Sequence, residues 1–504
     1  MRIKTTLFAA AAALVLMATS AAAQTTLRIG LAEDPDILDP TQGRTFVGRI
    51  VFASLCDKLF DIDEKLNIVP QLATAFEWGD ANKSLSLKLR SDVVFHDGEK
   101  FNAAAVKFNI ERHKTMQGSS RRGELASVSG VEVVDDTTVK LVLSAPFSPL
   151  LAALTDRSGM MVSPKAAEAA GANFGAKPVC AGPYKFVERV AQERIVVERF
   201  DKYWNKGDIH FDRIIYLPIV DNTIRLANLQ SGGLDFIERA AATDLPAIRK
   251  DSRLKLSSIV ELGYQGLTIN TDSGPRANTP LGKDARVRKA LELSIDRDVI
   301  NQVVYNGEYQ AGNQWVPPPN FYYAKNAPIP KRDVAKAKEL LKEAGVPNPS
   351  FTLMAATSPD IQQVAQVIQA MAKEAGFDVK IQATEFASAL KFAEAGDFEV
   401  HLIGWSGRPD PDGNLHTFVS CKGPLNDGKY CNQALETLLD QSRTLGTAAE
   451  RAKVYEQIAA IMAKDDPLIY LYHRKWFWAY SAKLTGFRFV PDGMVRVQGL
   501  KFAS

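Results

Sequence analysis

The stretch HLIGWSGRPDPDGNLHTF, His401 to Phe418, gathers residue types that hold small polar molecules. An apolar run ends at Gly404, and Trp405, Arg408, Asp410 and Asp412 follow in a loop stiffened by Pro409 and Pro411. Loops after strand ends are where α/β proteins place ligand groups. In such a loop a carboxylate meets an amine, a guanidinium meets a carboxylate, and an indole stacks on what lies between. The same residues also permit a self-paired turn of Arg408 and Asp410 with Trp405 in the core. Trp315, in AGNQWVPPP, is a second candidate, because a polar, proline-rich loop offers an indole little core to fill. Tyr470, Tyr472, Trp476 and Trp478 in YLYHRKWFWAYS read first as core, since a strand crossing between lobes buries aromatics on both faces.

Catalytic machinery does not assemble from the remaining residues. The chain has no HExxH zinc helix, GxxxxGK[ST] phosphate loop, GxGxxG fingerprint or GxSxG elbow. GWSG at Gly404–Gly407 lacks the residue between Ser and Gly. The six histidines (His96, His113, His210, His401, His416 and His473) are scattered, and no two stand at i, i+4. The expectation is a binding protein, not an enzyme, with neither metal nor cofactor.

The elements that would position these residues fall into two textures. SLSLKLR puts Leu85, Leu87 and Leu89 on one face of a strand, and TTVKLVLS repeats the pattern. FHDGEKFNAAAVKFNIER reads as a turn at Asp97-Gly98 and then a helix capped by Asn102, scaffold rather than site. AGPYKFVERV and ERIVVERF form a hairpin, and NTIRLANLQSGG a helix ended by glycine. This half is mixed α+β. From about residue 278 longer helices appear: Val287, Leu291, Ile295 and Ile300 make an apolar stripe, and Asp333 caps RDVAKAKELLKEAG. SFTLMAATS, IQQVAQVIQAMAKEAG and FDVKIQATEF read as strand, helix and strand, a βαβ unit on a parallel sheet. No linker separates the halves, so strands should cross between them, near Tyr264–Asn270 and near Trp478–Leu484. Tyr264 and Gln265 thereby join the ligand-binding candidates.

At 504 residues, 46% hydrophobic and 24% charged, the chain is too long for one core. MRIKTTLFAAAAALVLMATSAAAQ has two cations, a short apolar run and an A-x-A pattern ending at Ala23, the form of a cleaved secretory signal over 1–23. Of the 61 basic residues, 59 remain without Arg2 and Lys4, against 58 acids, a balance that argues against nucleic acid as partner. No later stretch is long and apolar enough for stable membrane insertion. In an oxidising compartment the four cysteines should pair. The turn-rich CKGPLNDGKYC favours Cys421 with Cys431, leaving Cys56 with Cys180. Zinc is disfavoured by the absence of CxxC spacing.

PQLATAFEW, FHDGEKFNAAAVKFNIER, AGPYKF, YWN, ANLQSGGLDF, INTDSGPRANTPLGKDARVRKALELSIDRDVI and GWSGRPDPDGN, in this order, resemble the extracellular solute-binding proteins of family five, the dipeptide- and oligopeptide-binding components of ABC importers. The resemblance implies a two-lobed periplasmic-binding-protein fold, α/β and α+β, that closes by hinge bending over a ligand. It implies a first lobe over 24–265 with an extra subdomain at about 65–185, an α/β second lobe over 266–480, and a return of 481–504 to the first lobe. It further implies a periplasmic monomer that hands its solute to membrane permease subunits, with Asp410 or Asp412 holding a ligand amine. Arg408 in that loop weakens a plain dipeptide reading. Relatives with similar loops take glutathione, opines, sugars or metal chelates, so a non-peptide ligand is the first alternative. A nickel or haem carrier leaning on His416 and a secreted hydrolase are the others.

Overall fold

The computed structural model describes residues 25–503, so the signal sequence expected at 1–23 lies outside the described residues. Two large sheets organise the chain. The first has seven strands, in the order Leu254–Val260, Lys475–Ser481, Phe236–Ile237, Thr26–Leu31, Arg213–Pro218, Arg194–Arg199 and Tyr184–Val190. Strand 26–31 runs parallel to both 213–218 and 236–237, and the others are antiparallel to their neighbours. The second has six strands, in the order Gln310–Ala311, Leu468–His473, Tyr264–Ile269, Val400–Trp405, Ser350–Ala356 and Asp378–Thr384. Its last three are mutually parallel, and helix Pro359–Glu374 makes the crossover between 350–356 and 378–384. Each sheet has its own apolar core, so the molecule is two-lobed.

A four-stranded antiparallel sheet, Ala73–Gly79, Ser84–Leu89, Thr138–Leu143 and Val128–Asp135, forms an additional layer on the first lobe. Leu85, Leu87 and Leu89 all point into its core, as the alternation requires. The Asp97-Gly98 turn is scaffold: Gly98 sits at φ 90°, and the Asn102 side chain accepts from the Ala105 amide at 3.0 Å to start helix Ala103–Thr115. Phe101 and Val106, before and inside that first turn, are both buried. The stripe through Val287 and Ile300 lies on two helices, Ala285–Ser294 and Arg297–Tyr305. The break occurs because Asp296 turns its carboxylate back to accept from the amides of Asp298 and Val299.

Two short crossings join the lobes. The chain leaves the first sheet at Val260 and enters the second at Tyr264, then leaves the second at His473 and re-enters the first at Lys475. The second crossing is therefore at Arg474, not at 478–484. Trp478 lies mid-strand, because its pairing with Ser257 continues the first sheet. The crossings are tied to each other: the Glu261 amide donates to the Arg474 carbonyl at 3.0 Å, the Arg474 amide to Glu261 Oε1 at 2.7 Å, and Arg474 Nε to Glu261 Oε2 at 3.1 Å. His473 Nδ1 meets the Gly263 carbonyl at 2.6 Å. Burial holds this imidazole neutral, with its pKa lowered to about 4, so Nδ1 carries the proton and donates.

Past 481 the tail packs on the first lobe. Val495, Val497 and Leu500 join its core, and Arg496 pairs with Asp61 at 2.7 Å. Disulfides join Cys56 to Cys180 and Cys421 to Cys431, with Cα separations of 4.9 and 4.5 Å.

Candidate functional site

The parallel strands of both sheets point their carboxyl ends at the space between the lobes. A cavity of ≈ 390 Å³ lies there. Ala32 and Glu33 reach it from the end of strand 26–31, Pro218 and Val220 from strand 213–218, and Arg239 to Asp244 from strand 236–237. Across from them stand Ala356 to Asp360 after strand 350–356, Glu385 and Phe386 after 378–384, and Gly404 to Ser406 after 400–405. This is where a doubly wound sheet presents free amides and loop side chains to a ligand. Tyr264, Gln265, Lys475 and Trp476, just beyond the crossings, complete the floor.

Aromatic rings give the cleft its flat surfaces. Phe46 and Trp476 stack with centroids 4.4 Å apart and planes within 11°. The guanidinium of Arg239 lies 5.4 Å from the centre of the Phe46 ring and is fixed by Glu33 and Glu238 at 2.5 and 2.8 Å. Opposite, Trp405 takes Arg408 at 4.2 Å and Phe418 edge-on at 4.9 Å, while its Nε1 donates to Asn414 Oδ1 at 3.1 Å. Glycine is needed in this turn and in the crossing packed against it. Gly407 has φ 85°, and a Cβ on Gly263 would lie 1.7 Å from the Trp405 carbonyl oxygen.

Six acids and six bases line the cavity. Arg44 pairs with Asp427 at 2.9 Å, Arg474 with Glu261, and Asp34 with Arg189 at 3.0 Å. Asp244 from the first lobe and Asp360 from the second have no ion-pair partner among the described residues, and neither has Lys475. Burial pushes the Asp244 carboxyl up. Both free carboxylates act on the buried Arg225, whose Nε has no partner. The cavity thus offers charges of both signs beside aromatic faces, which suits a solute carrying both an amine and a carboxylate.

Of the residues expected from sequence, Trp405, Tyr264 and Gln265 line this cavity. The other four lie elsewhere. Trp315 does not line the cavity: it is fully buried against Tyr455 in the core of the second lobe, where helix Ala448–Asp465 supplies the core that its loop lacks. Asp410 makes a doubly bonded pair with Arg451, 2.7 Å on each oxygen, and Asp412 a similar pair with Arg443 at 2.6 and 3.0 Å. Burial opposes ionisation of Asp412, yet the Arg443 charge holds its carboxyl below the ordinary range. Both carboxylates are thus consumed in fixing the loop to the helices behind it. Arg408 does not pair with Asp410. It crosses to the first lobe, with Nε 2.6 Å from Asp156 Oδ2. His416 stands on helix Asp412–Val419, 3.9 Å from Asp440. Among the described residues no three His, Cys, Asp or Glu side chains cluster as a metal site.

Sequence reasoning passed over Phe46, Arg121, Arg239, Asp244 and Asp360. The rule that ligands gather at carboxyl ends of parallel strands could have found Arg239, Asp244 and Asp360, whereas Phe46 opens a helix and Arg121 follows one. Applying it requires the strand order, which pairs residues about two hundred positions apart.

The comparisons with known proteins agree with this geometry. The pattern of the family described as "Bacterial extracellular solute-binding proteins, family 5 Middle" matches residues 67–426. The chain is 31% identical over 471 residues to the glutathione-binding protein GsiB of Pectobacterium atrosepticum, covering 90% of each. The periplasmic binding protein AgaA of A.tumefacien, in complex with agropinic acid, superposes with a TM-score of 0.86 at 29% identity, covering 95% of this chain and 99% of that one. DppA of Helicobacter pylori, an ABC transporter-associated periplasmic binding protein in complex with peptide STSA, gives 0.86 at 25% identity, covering 95% and 98%.

Proposed function

We propose, from the premise that this chain belongs to family 5 of the bacterial extracellular solute-binding proteins, that it captures in the periplasm a small zwitterionic solute of about tripeptide size and presents it to a membrane permease. The protein is the substrate-binding component of an ABC importer. Members of its family bind rather than transform their ligands, and among the described residues no helix is long and apolar enough to cross a membrane. Glutathione-like, short-peptide and opine-like solutes share the required chemistry: at least one amine, at least one carboxylate and a compact polar body.

The observation that carries this reading is the cavity of ≈ 390 Å³ between the carboxyl ends of the two parallel strand sets, with unpaired carboxylates reaching it from both lobes. A solute that bridges the walls contributes most of its binding energy only in the closed form, which shifts the population from open to closed. The chain acts as a monomer, each copy completing its own cleft.

Native mass spectrometry of protein purified from the periplasm, followed by denaturation and identification of the released molecule, tests the proposal. The expected result is a solute with both amine and carboxylate groups. Release of a neutral sugar, or failure of glutathione, dipeptides, tripeptides and opines all to raise the melting temperature, would overturn it.

A further inference from the structure

The Arg408 contact belongs to a larger cluster. Arg49, Arg121, Arg157 and Arg408 are all buried, at 1%, 0%, 0% and 6% exposure, around Asp156 and Glu124. Asp156 faces Arg408 at 2.6 Å and Arg49 at 3.1 Å, and Glu124 accepts from Arg121 Nη1 at 2.6 Å. Arg157 Nη1 donates to the Gly43 carbonyl at 2.6 Å. Four permanent cations therefore share two acids. Four guanidinium nitrogens have no partner in the protein: Arg121 Nε, Arg157 Nε and Nη2, and Arg408 Nη2. The nearby acids do not cancel the surplus, because Asp39 is engaged by Arg112 at 2.6 Å and Asp410 and Asp412 by their own arginines. His113, also close, is neutral.

Buried charge without a counter-charge is costly, and a water molecule supplies hydrogen bonds but no charge. The cluster opens toward the ligand: Arg121 lines the cleft, and so does Ser406, whose hydroxyl accepts from Arg49 Nη1 at 3.0 Å. We infer that the Arg121 end of the cleft is the seat of an anionic group of the solute, a carboxylate, held by Arg121 and backed by the field of Arg49, Arg157 and Arg408. This rests on the capture reading above and deepens it, because it gives the ligand a polarity. The carboxylate points toward Arg121, and the amine is left for the unpaired acids Asp244 and Asp360.

Calorimetric titration with matched pairs tests this on the wild-type protein: glutathione against its diamide, and alanyl-alanine against alanyl-alaninamide, with sucrose as a neutral probe. A free acid that binds roughly 10- to 100-fold more tightly than its amide is the expected result. Arg121→Met should erase that difference, and Arg121→Lys should restore part of it. An amide that binds as well as its acid would overturn the anionic seat while leaving solute capture standing, whereas binding of sucrose alone among the probes would overturn both. If no probe binds, the solute class proposed above fails and this inference fails with it. The acid-against-amide comparison needs no variant, so a misfolded Arg121→Met protein does not blunt the test.

Discussion

Two of the places where the lobes meet are each built around a buried acid and a guanidinium. At the hinge, Glu261 faces Arg474 at 3.1 Å, and at the far rim Asp156 faces Arg408 at 2.6 Å. At the hinge, the Glu261 amide donates to the Arg474 carbonyl while the Arg474 amide donates to the Glu261 carboxylate, so the pair is tied to the backbone of both crossings and travels with them whether the cleft is open or closed. At the rim, Asp156 and Arg408 meet through side chains alone, from loops 252 positions apart, and separation of the lobes parts them. The same chemistry thus acts as a fixed pivot in one region and as a releasable catch in the other. Connectivity, rather than strength of the pair, sets the role.

The pivot should give the largest effect. Glu261→Gln leaves the Arg474 charge buried without its acid and should cost about 3–5 kcal/mol of folding stability, seen equally in denaturant titrations with and without ligand. A loss confined to the liganded protein would make Glu261 part of the catch. Arg408→Gln should do the opposite. It weakens ligand binding by about 2 kcal/mol and raises the open fraction in small-angle scattering, while the ligand-free melting temperature barely moves. An unchanged affinity would remove Arg408 from closure altogether.

Acid should loosen the pivot next. His473 at the hinge and His401 on strand 400–405 have pKa values lowered by burial to about 4 and about 3. Their unfolded forms take up protons below about 6.5 while the folded forms do not, so stability falls as the pH drops through that window. The slope should be roughly 1 kcal/mol per pH unit for each. His473→Gln should flatten the melting-temperature profile between pH 6.5 and 4, and an unaltered slope would contradict this assignment. The smallest effect belongs to Arg44, whose pair with Asp427 spans the lobes nearer solvent. Arg44→Gln should weaken binding by less than about 1 kcal/mol, and the loss should vanish in 1 M salt. A loss that persists in salt would place Arg44 on the ligand.

Local patterns made much of the architecture readable in the sequence. The alternating leucines at 85–89, the caps at Asn102 and Asp333, and the short unit from 350 to 384 each depend on neighbours in the chain. The site was less readable. Arg408, Asp410 and Asp412 stand beside one another in the loop, and nothing local reveals that Asp156, Arg451 and Arg443 claim them. The residues that do face the cavity are individually unremarked positions, such as Asp244 and Asp360, each a few residues past a strand. Trp315 misled for the converse reason, because its core arrives from a helix more than 130 residues later.

The bond between Cys56 and Cys180 encloses the whole four-stranded layer, since every strand from Ala73 to Leu143 lies between its two ends. That layer is a covalent ring rather than an appendage. A protease that cuts once inside the ring opens a loop but releases nothing: the nicked protein keeps its mass on a non-reducing gel and falls into two pieces only when thiol is added.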